Sequence, residues 1–320
     1  MNQTAHELDL LATGFPSIDY IFRVRKLPRV GETATITTLG EGVHVGGCGI
    51  NVAVGLARLG IRAGVACVVG DGADAHRLLG HLEREKVDTR GVTVVPGAPT
   101  SRSYLFADDQ ATMTFFLPGA AAALPGEPDL SGLPPCAWGL VTVGEPRYNR
   151  AFIRTLRARG VPVAVQLRID EEAYGPFLAE AVKSASLLFM NEYEACFLVK
   201  RLGLARIEEL LSEVTRAVVV TRGAQGAAAY THEGHVEVAA VQPACVVDTT
   251  GAGDAFTAGF LAGIRWGLAT EDALRLAATM ASFVVERVGA QEGLPDRQRL
   301  AERLAAVGEV DLARRLLTLP

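Results

Sequence analysis

Apolar and polar positions along the 320-residue chain follow two alternating periods. Short apolar runs at Leu8–Gly14, Arg62–Gly70, Trp138–Gly144, Val161–Leu167, Leu187–Met190 and Ala217–Thr221 have the length of strands. Between them, Asn51–Leu59, Ala75–Lys86, Tyr148–Arg159, Pro176–Ser184 and Glu192–Leu202 carry apolar residues at helical spacing. Strand–helix alternation of this kind predicts an α/β fold, a mostly parallel central sheet covered by helices on both faces. Two stretches, Tyr20–Val43 and Ser101–Leu117, instead interleave β-branched and aromatic residues with polar ones. They read as antiparallel ribbon with one wet face and are expected to join as a small β-sheet lid over a site. His232-Glu233-Gly234-His235 lies between the apolar runs Ala227–Tyr230 and Val236–Val241 and reads as a hairpin tip. From Gly253 onward the pattern is nearly all helix, punctuated by Gly267, Gly289 and Pro295.

Composition narrows the class. A chain that is 49% hydrophobic and 21% charged can bury a large core, and a single domain over residues 1–320 is expected. Thirty-one basic against 36 acidic side chains give a formal charge of −5 with no basic block, which does not fit nucleic acid or an anionic membrane as partner. The apolar runs fall well short of the ~20 residues of a membrane-spanning helix. Met1–Leu8 has no basic segment followed by an apolar core, so a cytoplasmic location is expected. Cys48, Cys67, Cys136, Cys196 and Cys245 are dispersed, form no Cys-x-x-Cys pair and are expected to be reduced.

The chemistry concentrates at Val246–Phe260, where an apolar strand end runs through Asp248-Thr249-Thr250 into Gly251-Ala252-Gly253 and a helix whose first turn holds Asp254. Such a turn leaves backbone N–H groups at a helix N-terminus, where the dipole favours an anion. Phosphate fits, because glycine lets it approach the backbone and the donors match the charge that develops in phosphoryl transfer. Asp254 is then either a base beside the cradle or merely a helix cap. There is no P-loop, and the turn lacks the third glycine of a dinucleotide fingerprint.

A second segment, Gly46-Gly47-Cys48-Gly49-Ile50-Asn51-Val52-Ala53 continuing to Ala57-Arg58-Leu59-Gly60, stands upstream. The two segments resemble the N- and C-terminal signatures of the ribokinase-like, or PfkB, family of carbohydrate and nucleoside kinases, and the resemblance covers nearly the whole chain. It implies a ribokinase-like fold and an ATP-dependent phosphotransferase, with Asp254 as general base and Gly251, Ala252 and Gly253 as anion hole. It implies further that Asp19, Gly46, Gly47 and Asn51 face the substrate. By themselves Asp19 reads as a turn residue and Asn51 as a helix-start residue. Asn191 and Glu194, in an Asn-x-x-Glu pattern, are implied to arrange Mg²⁺ and phosphates through water, and Thr221, Gly223 and Gly226 to support ATP. Asp248 and Thr250 match positions that bind a monovalent cation such as K⁺ in relatives; strand-end hydrogen bonding is the other reading of that pair.

The resemblance implies a small-molecule substrate, a nucleoside or a sugar. Phe115–Ala120, the Asn191–Glu194 tetrad and Val285–Glu292 are most similar to the bacterial adenosine-kinase-like branch. Phe116, with Phe115, offers a stacking surface for a base, or else forms the buried lid face or a contact in a homodimer through the lid. Gln166 and Arg168 stand where sugar kinases of the family often carry acidic and amide groups, which makes Arg168 a candidate contact for an anion. His44 either lines the substrate site or ends a lid strand. A ribokinase- or fructokinase-like sugar kinase is the alternative, and a non-catalytic nucleotide- or sugar-binding regulator a further one.

Overall fold

The computed structural model describes residues 7–38, 43–109, 111–168 and 171–319. Residues 39–42 of the first expected lid segment and residue 110 of the second lie outside them. In chain order the strands and helices begin β1 (Leu8–Thr13), β2 (Ser17–Val24), β3 (Ile36–Thr38), β4 (Val43–Gly46), α1 (Cys48–Arg58), β5 (Ala63–Ala66), β6 (Val68–Val69) and α2 (Ala73–Arg84). They continue with β7 (Thr93–Val94), β8 (Arg102–Ala107), β9 (Thr112–Leu117), β10 (Cys136–Val141), α3 (Pro146–Ala158), β11 (Val163–Gln166), α4 (Glu171–Ser184), β12 (Leu187–Asn191) and α5 (Glu192–Leu202). The last third holds β13 (Ala217–Thr221), β14 (Ala227–Thr231), β15 (Gly234–Val238), α6 (Ala252–Arg265), α7 (Thr270–Val284), α8 (Arg297–Ala306) and α9 (Val310–Thr318).

All six residues of β1 are buried, because an interior strand of a parallel sheet is covered on both faces; four of them are apolar, and the buried Asp9 is paired with Arg62 and Arg265. The central sheet has eight strands in the order β15-β14-β13-β12-β11-β10-β1-β5. The strands from β5 to β13 pair in parallel, and the β14–β15 hairpin extends one edge antiparallel. Two apolar layers cover it. One packs α1, α2 and α6 to α9 around Leu56, Leu78, Phe260 and Leu276; the other packs α3, α4 and α5 around Phe152, Phe177 and Leu198.

The two lid segments do meet. A separate sheet runs β3-β2-β8-β9, with β4 also paired to β2. It begins at Ser17, ahead of the expected Tyr20, and β2 joins β8 in parallel, from Ile18 opposite Arg102 to Arg23 opposite Ala107. That corrects the all-antiparallel expectation. β2 and β8 leave the core in the same direction after a long connection through α1 and α2, and a crossover of that length joins parallel strands. Two boundaries also move. The run Arg62–Gly70 breaks at Cys67, and β6 pairs with β7 outside the main sheet, since β5 is its edge. Helix α4 starts at Glu171, ahead of the expected Pro176, which lies inside it.

Candidate active site

In an open parallel sheet the loops at the carboxyl ends of the strands form the natural crevice. Here the ends of β11, β12 and β13 and the N-termini of α1 and α6 enclose a cleft of about 330 Å³ lined by Cys48, Gln166, Arg168, Asn191, Gly253 and Asp254 among others.

The turn into α6 is built by Asp248. Its Oδ1 accepts hydrogen bonds from the Thr250 N–H (2.9 Å) and hydroxyl (2.7 Å), and its Oδ2 accepts one from the Gly289 N–H (2.9 Å). Gly251 takes φ +79°, and a side chain there would run into Ala290; at Gly253 a methyl would meet nothing within 4 Å. The first glycine is thus required by the turn, while the second leaves the cleft open. α6 has no side-chain cap, so its N-terminal dipole faces the cleft without a competing carboxylate from the cap position.

Asp254 is buried, 6% exposed, and two amides hold it. Asn51 Nδ2 donates to its Oδ2 at 2.7 Å, and Gln166 Nε2 to its Oδ1 at 2.6 Å. Burial pushes the carboxyl above the usual range; hydrogen bonds from Asn51, Gln166 and the Cys48 thiol and the Arg168 charge act against it. A carboxylate kept anionic by donors in a site that raises its proton affinity suits a general base. Burial also pushes the Cys48 thiol far up, which makes it a neutral donor and no nucleophile.

Behind Asn51 lies a group that sequence reading missed. Gln291 Nε2 donates both to the Val45 carbonyl (2.9 Å) and to Asn51 Oδ1 (2.7 Å), and Gln291 Oε1 lies 2.7 Å from His81 Nε2. A backbone carbonyl only accepts, so Val45 fixes which end of Gln291 is the amine. Asn51 must then turn its own amine toward Asp254. A buried glutamine within the glycine-punctuated segment Gly289–Leu294 is the one sequence signal that could have found it.

On the lid, Asp19 Oδ1 accepts from the Ser17 hydroxyl at 2.5 Å, and Ser17 Oγ lies 2.8 Å from Ser103 Oγ. A side chain at Gly46 would strike the Asp19 carboxylate, and one at Gly47, φ +102°, the Phe15 carbonyl. The two glycines therefore let the lid carboxylate lie against the start of α1. Burial raises Asp19 above the ordinary carboxyl range. Phe116, 44% exposed, packs its ring 4.9 Å from that of Phe15. A second space of about 660 Å³ separates the lid residues Ile21, Arg23 and Leu105 from Val246–Thr250.

The other expected groups fall on the far side of the cleft. Asn191 Oδ1 accepts from the Glu194 N–H (2.8 Å) and Glu194 Oε2 from the Asn191 N–H (2.7 Å), a reciprocal cap that orients both. Both line the cleft with Thr221. Gly223 and Gly226, at φ +55° and +95°, shape the turn between β13 and β14 and lie outside that lining.

A glycine turn at a helix N-terminus, a buried carboxylate beside it and a lid carrying a second carboxylate define a phosphoryl-transfer site of the small-molecule kinase type. Known proteins agree. The pfkB family carbohydrate kinase model matches residues 9–297. The nucleoside kinase of Methanocaldococcus jannaschii is 28% identical over 301 residues, covering 92% of this chain and 96% of its own, and its crystal structure superposes with a TM-score of 0.82, covering 94% of this chain and 100% of that one. The ATP-dependent ribose-1-phosphate kinase of Halopiger xanaduensis is 31% identical over 88% of this chain and 93% of its own. The Burkholderia thailandensis nucleoside kinase in complex with inosine is 25% identical, with a TM-score of 0.81 over 93% of this chain and 97% of that one. The chain belongs to the pfkB family of carbohydrate kinases. It is an ATP-dependent kinase acting on a nucleoside or a sugar. No helix among the described residues is long and apolar enough to cross a membrane.

Proposed function

We propose that the substrate is a nucleoside, phosphorylated on its 5′-hydroxyl with Asp254 as general base. The observation that carries the mechanism is the Asp254 carboxylate, buried beside the open Gly253 backbone and held by Asn51 and Gln166. The hydroxyl oxygen attacks the γ-phosphorus of ATP, its proton passes to Asp254, and the bond from γ-phosphorus to the β-bridging oxygen breaks to release ADP. The amides of Gly251 and Gly253 and the α6 dipole stabilise charge on the transferred group, while the Ala252 N–H closes the turn on the Thr249 carbonyl at 3.2 Å. Asp19 accepts a substrate hydroxyl; Asn51, committed to Asp254 and Gln291, acts by holding the base.

Nucleoside is preferred to free sugar because the site face of the lid carries Phe116 beside Phe15, an apolar surface for a base. Two of the similar proteins are nucleoside kinases. Thr221, Gly223 and Gly226 are read as the ATP-facing edge. The buried Glu194 carboxylate and Asn191 amide fit Mg²⁺, which retains water and phosphate oxygens, and the ion would supply charge neutralisation on the phosphates. Asp248 and Thr250 fit a monovalent cation such as K⁺, which would brace the turn. Exchanging potassium for tetramethylammonium should then lower turnover, and equal rates in both salts would remove the ion. The lid is read as closing over substrate and, through its exposed edge residues Phe115 and Leu117, as pairing with a second copy. Sedimentation of the wild type against Phe115→Glu tests that pairing, and an unchanged monomer in both rules it out.

The decisive experiment is ATP consumption by the wild type and Asp254→Asn across adenosine, inosine, guanosine, ribose and fructose. Removal of the base should lower kcat by ~10²–10⁴-fold with nucleoside binding retained. Near-wild-type turnover by Asp254→Asn defeats the base assignment. Efficient use of a free sugar with no use of nucleosides defeats the substrate assignment and leaves the kinase intact.

A further inference from the structure

The base, the glycine turn and the Asn191–Glu194 pair leave one charged side chain of the cleft without a task. Arg168 stands just past the end of β11, two residues beyond Gln166. The Leu167 N–H still bonds to the Phe189 carbonyl at 2.8 Å, so the chain stays extended there. Side chains of an extended chain alternate sides, and Leu167 packs into the apolar layer of α3, α4 and α5. Gln166 and Arg168 therefore project together, and both line the cleft of about 330 Å³. Gln166 gives its amine to Asp254, while its Oε1 is buried and has no hydrogen-bond partner among the described residues.

The rest of the lining says which ligand this cation meets. Around it stand Asn191, Glu194, Thr221, Gly251, Gly253 and Asp254, the groups of the phosphate side, whereas the lid strands border the other space. The groups acting on the guanidinium are Cys48 first, then Asp254 and Glu194, and its hydrogen bond goes to the Cys48 thiol rather than to either carboxylate. Among the described residues it forms no ion pair. Its own charge is permanent, and burial keeps the Cys48 thiol neutral. A permanent cation set between a base and a metal-side carboxylate, and paired with neither, keeps its N–H donors for an anion that enters between them.

We infer that Arg168 is a catalytic residue, whose guanidinium leaves Cys48 and donates to the equatorial oxygens of the γ-phosphoryl group as that group passes from ADP to the acceptor hydroxyl. The planar fork spans two such oxygens, and the transition state spreads its charge over three of them. No bond to the arginine forms or breaks and no proton leaves it; it supplies charge and orientation at the moment of transfer. Gln166 Oε1 offers an acceptor for a further guanidinium N–H, which steadies the fork on the Asp254 side. The inference rests on the phosphoryl-transfer reading of this cleft and deepens it, for a nucleoside or a sugar acceptor alike.

The test compares the wild type with Arg168→Lys, Arg168→Gln and Arg168→Ala, using ATP and whichever of inosine and ribose the wild type turns over. Arg168→Gln and Arg168→Ala should lower kcat by ~10²–10⁴-fold while KM for ATP and for the acceptor stays within ~3-fold, because the contact is made only in the transition state. Arg168→Lys, which keeps the charge and loses the fork, should fall between. Titration with acceptor present should show ADP–aluminium fluoride, a mimic of the group in transfer, weakened far more than the ground-state mimic AMP-PNP. Millimolar guanidinium ion should restore part of the turnover of Arg168→Ala, and methylammonium should not. Near-wild-type kcat in Arg168→Gln overturns the inference; so does a rise confined to the acceptor KM, which would make Arg168 an acceptor contact, or equal weakening of the two mimics. A merely structural arginine predicts a lower melting temperature and no rescue by guanidinium, and that result also overturns it. If Arg168→Ala does not fold, the lysine and glutamine variants carry the kcat and mimic comparisons. Retained turnover in Asp254→Asn would remove the base and leave the Arg168 results standing, so the two readings fail separately.

Discussion

Gln291→Glu exchanges one amine for an oxygen and should reverse a chain of hydrogen bonds that ends on the buried Asp254 carboxylate, the proposed base. The wild-type amine serves two acceptors, the Val45 carbonyl at 2.9 Å and Asn51 Oδ1 at 2.7 Å. An ionised carboxylate serves neither. Val45 cannot change, so Asn51 must rotate its amide to offer a donor, and its oxygen then faces Asp254 Oδ2 where an amine stood at 2.7 Å. A hydrogen bond to a charged group is worth about 1.5–3 kcal/mol, so kcat/KM should fall ~10–100-fold. Burial already raises Asp254, and losing the donor raises it further, so the carboxylate is protonated at higher pH and the acid limb of the kcat/KM profile moves up. The Val45 carbonyl, left unpaired, costs ~1–3 kcal/mol of stability. The assays are kcat/KM from pH 4 to pH 9 and urea unfolding at pH 7. Gln291→Met, which donates nothing but repels nothing, should lose comparable stability with a smaller move of the acid limb. His81→Leu should leave the limb in place, because Val45 and not His81 sets the polarity. A wild-type acid limb and wild-type stability in Gln291→Glu would refute the reasoning.

The two turn glycines should separate folding from chemistry. Gly251→Ala forces a side chain to φ +79° and into Ala290, and should cost ~1–3 kcal/mol by thermal unfolding along with activity; Gly253→Ala, with open space around the new methyl, should unfold like the wild type yet lose ATP turnover. Equal stability of the two variants would contradict that division. Away from the site, Asp9 lies between Arg62 and Arg265 at 2.9 and 2.8 Å. Burial raises its pKa, but the Arg62 and Arg265 hydrogen bonds prevail and lower it from 3.8 to about 2. A depressed carboxyl stabilises the fold above its unfolded pKa and ceases to as pH falls through the folded one. Asp9→Asn should therefore cost ~1 kcal/mol at pH 7 after allowance for solvent screening, a difference that shrinks from pH 4 downward and vanishes near pH 2, with turnover unaffected. Unfolding curves whose separation is independent of pH would disprove the pairing.

Local sequence reported the pieces of this protein well wherever a piece is decided by its neighbours along the chain. Apolar runs marked β11, β12 and β13 because strands buried on both faces cannot alternate. Gly251 marked the turn into α6 because only glycine meets both the conformation and the approach of Ala290 there. Tertiary structure decided what those pieces face. That Asn51 spends its amide on Asp254, 203 residues away, follows from α1 packing against α6. That Gln291 fixes the polarity of that bond depends on a backbone carbonyl 246 residues away. The parallel join of β2 to β8, which sets Asp19 opposite Ser103, is equally long-range. Periodicity tells which residues share a face of one strand, but the register between strands distant in sequence is set only when the whole sheet is assembled.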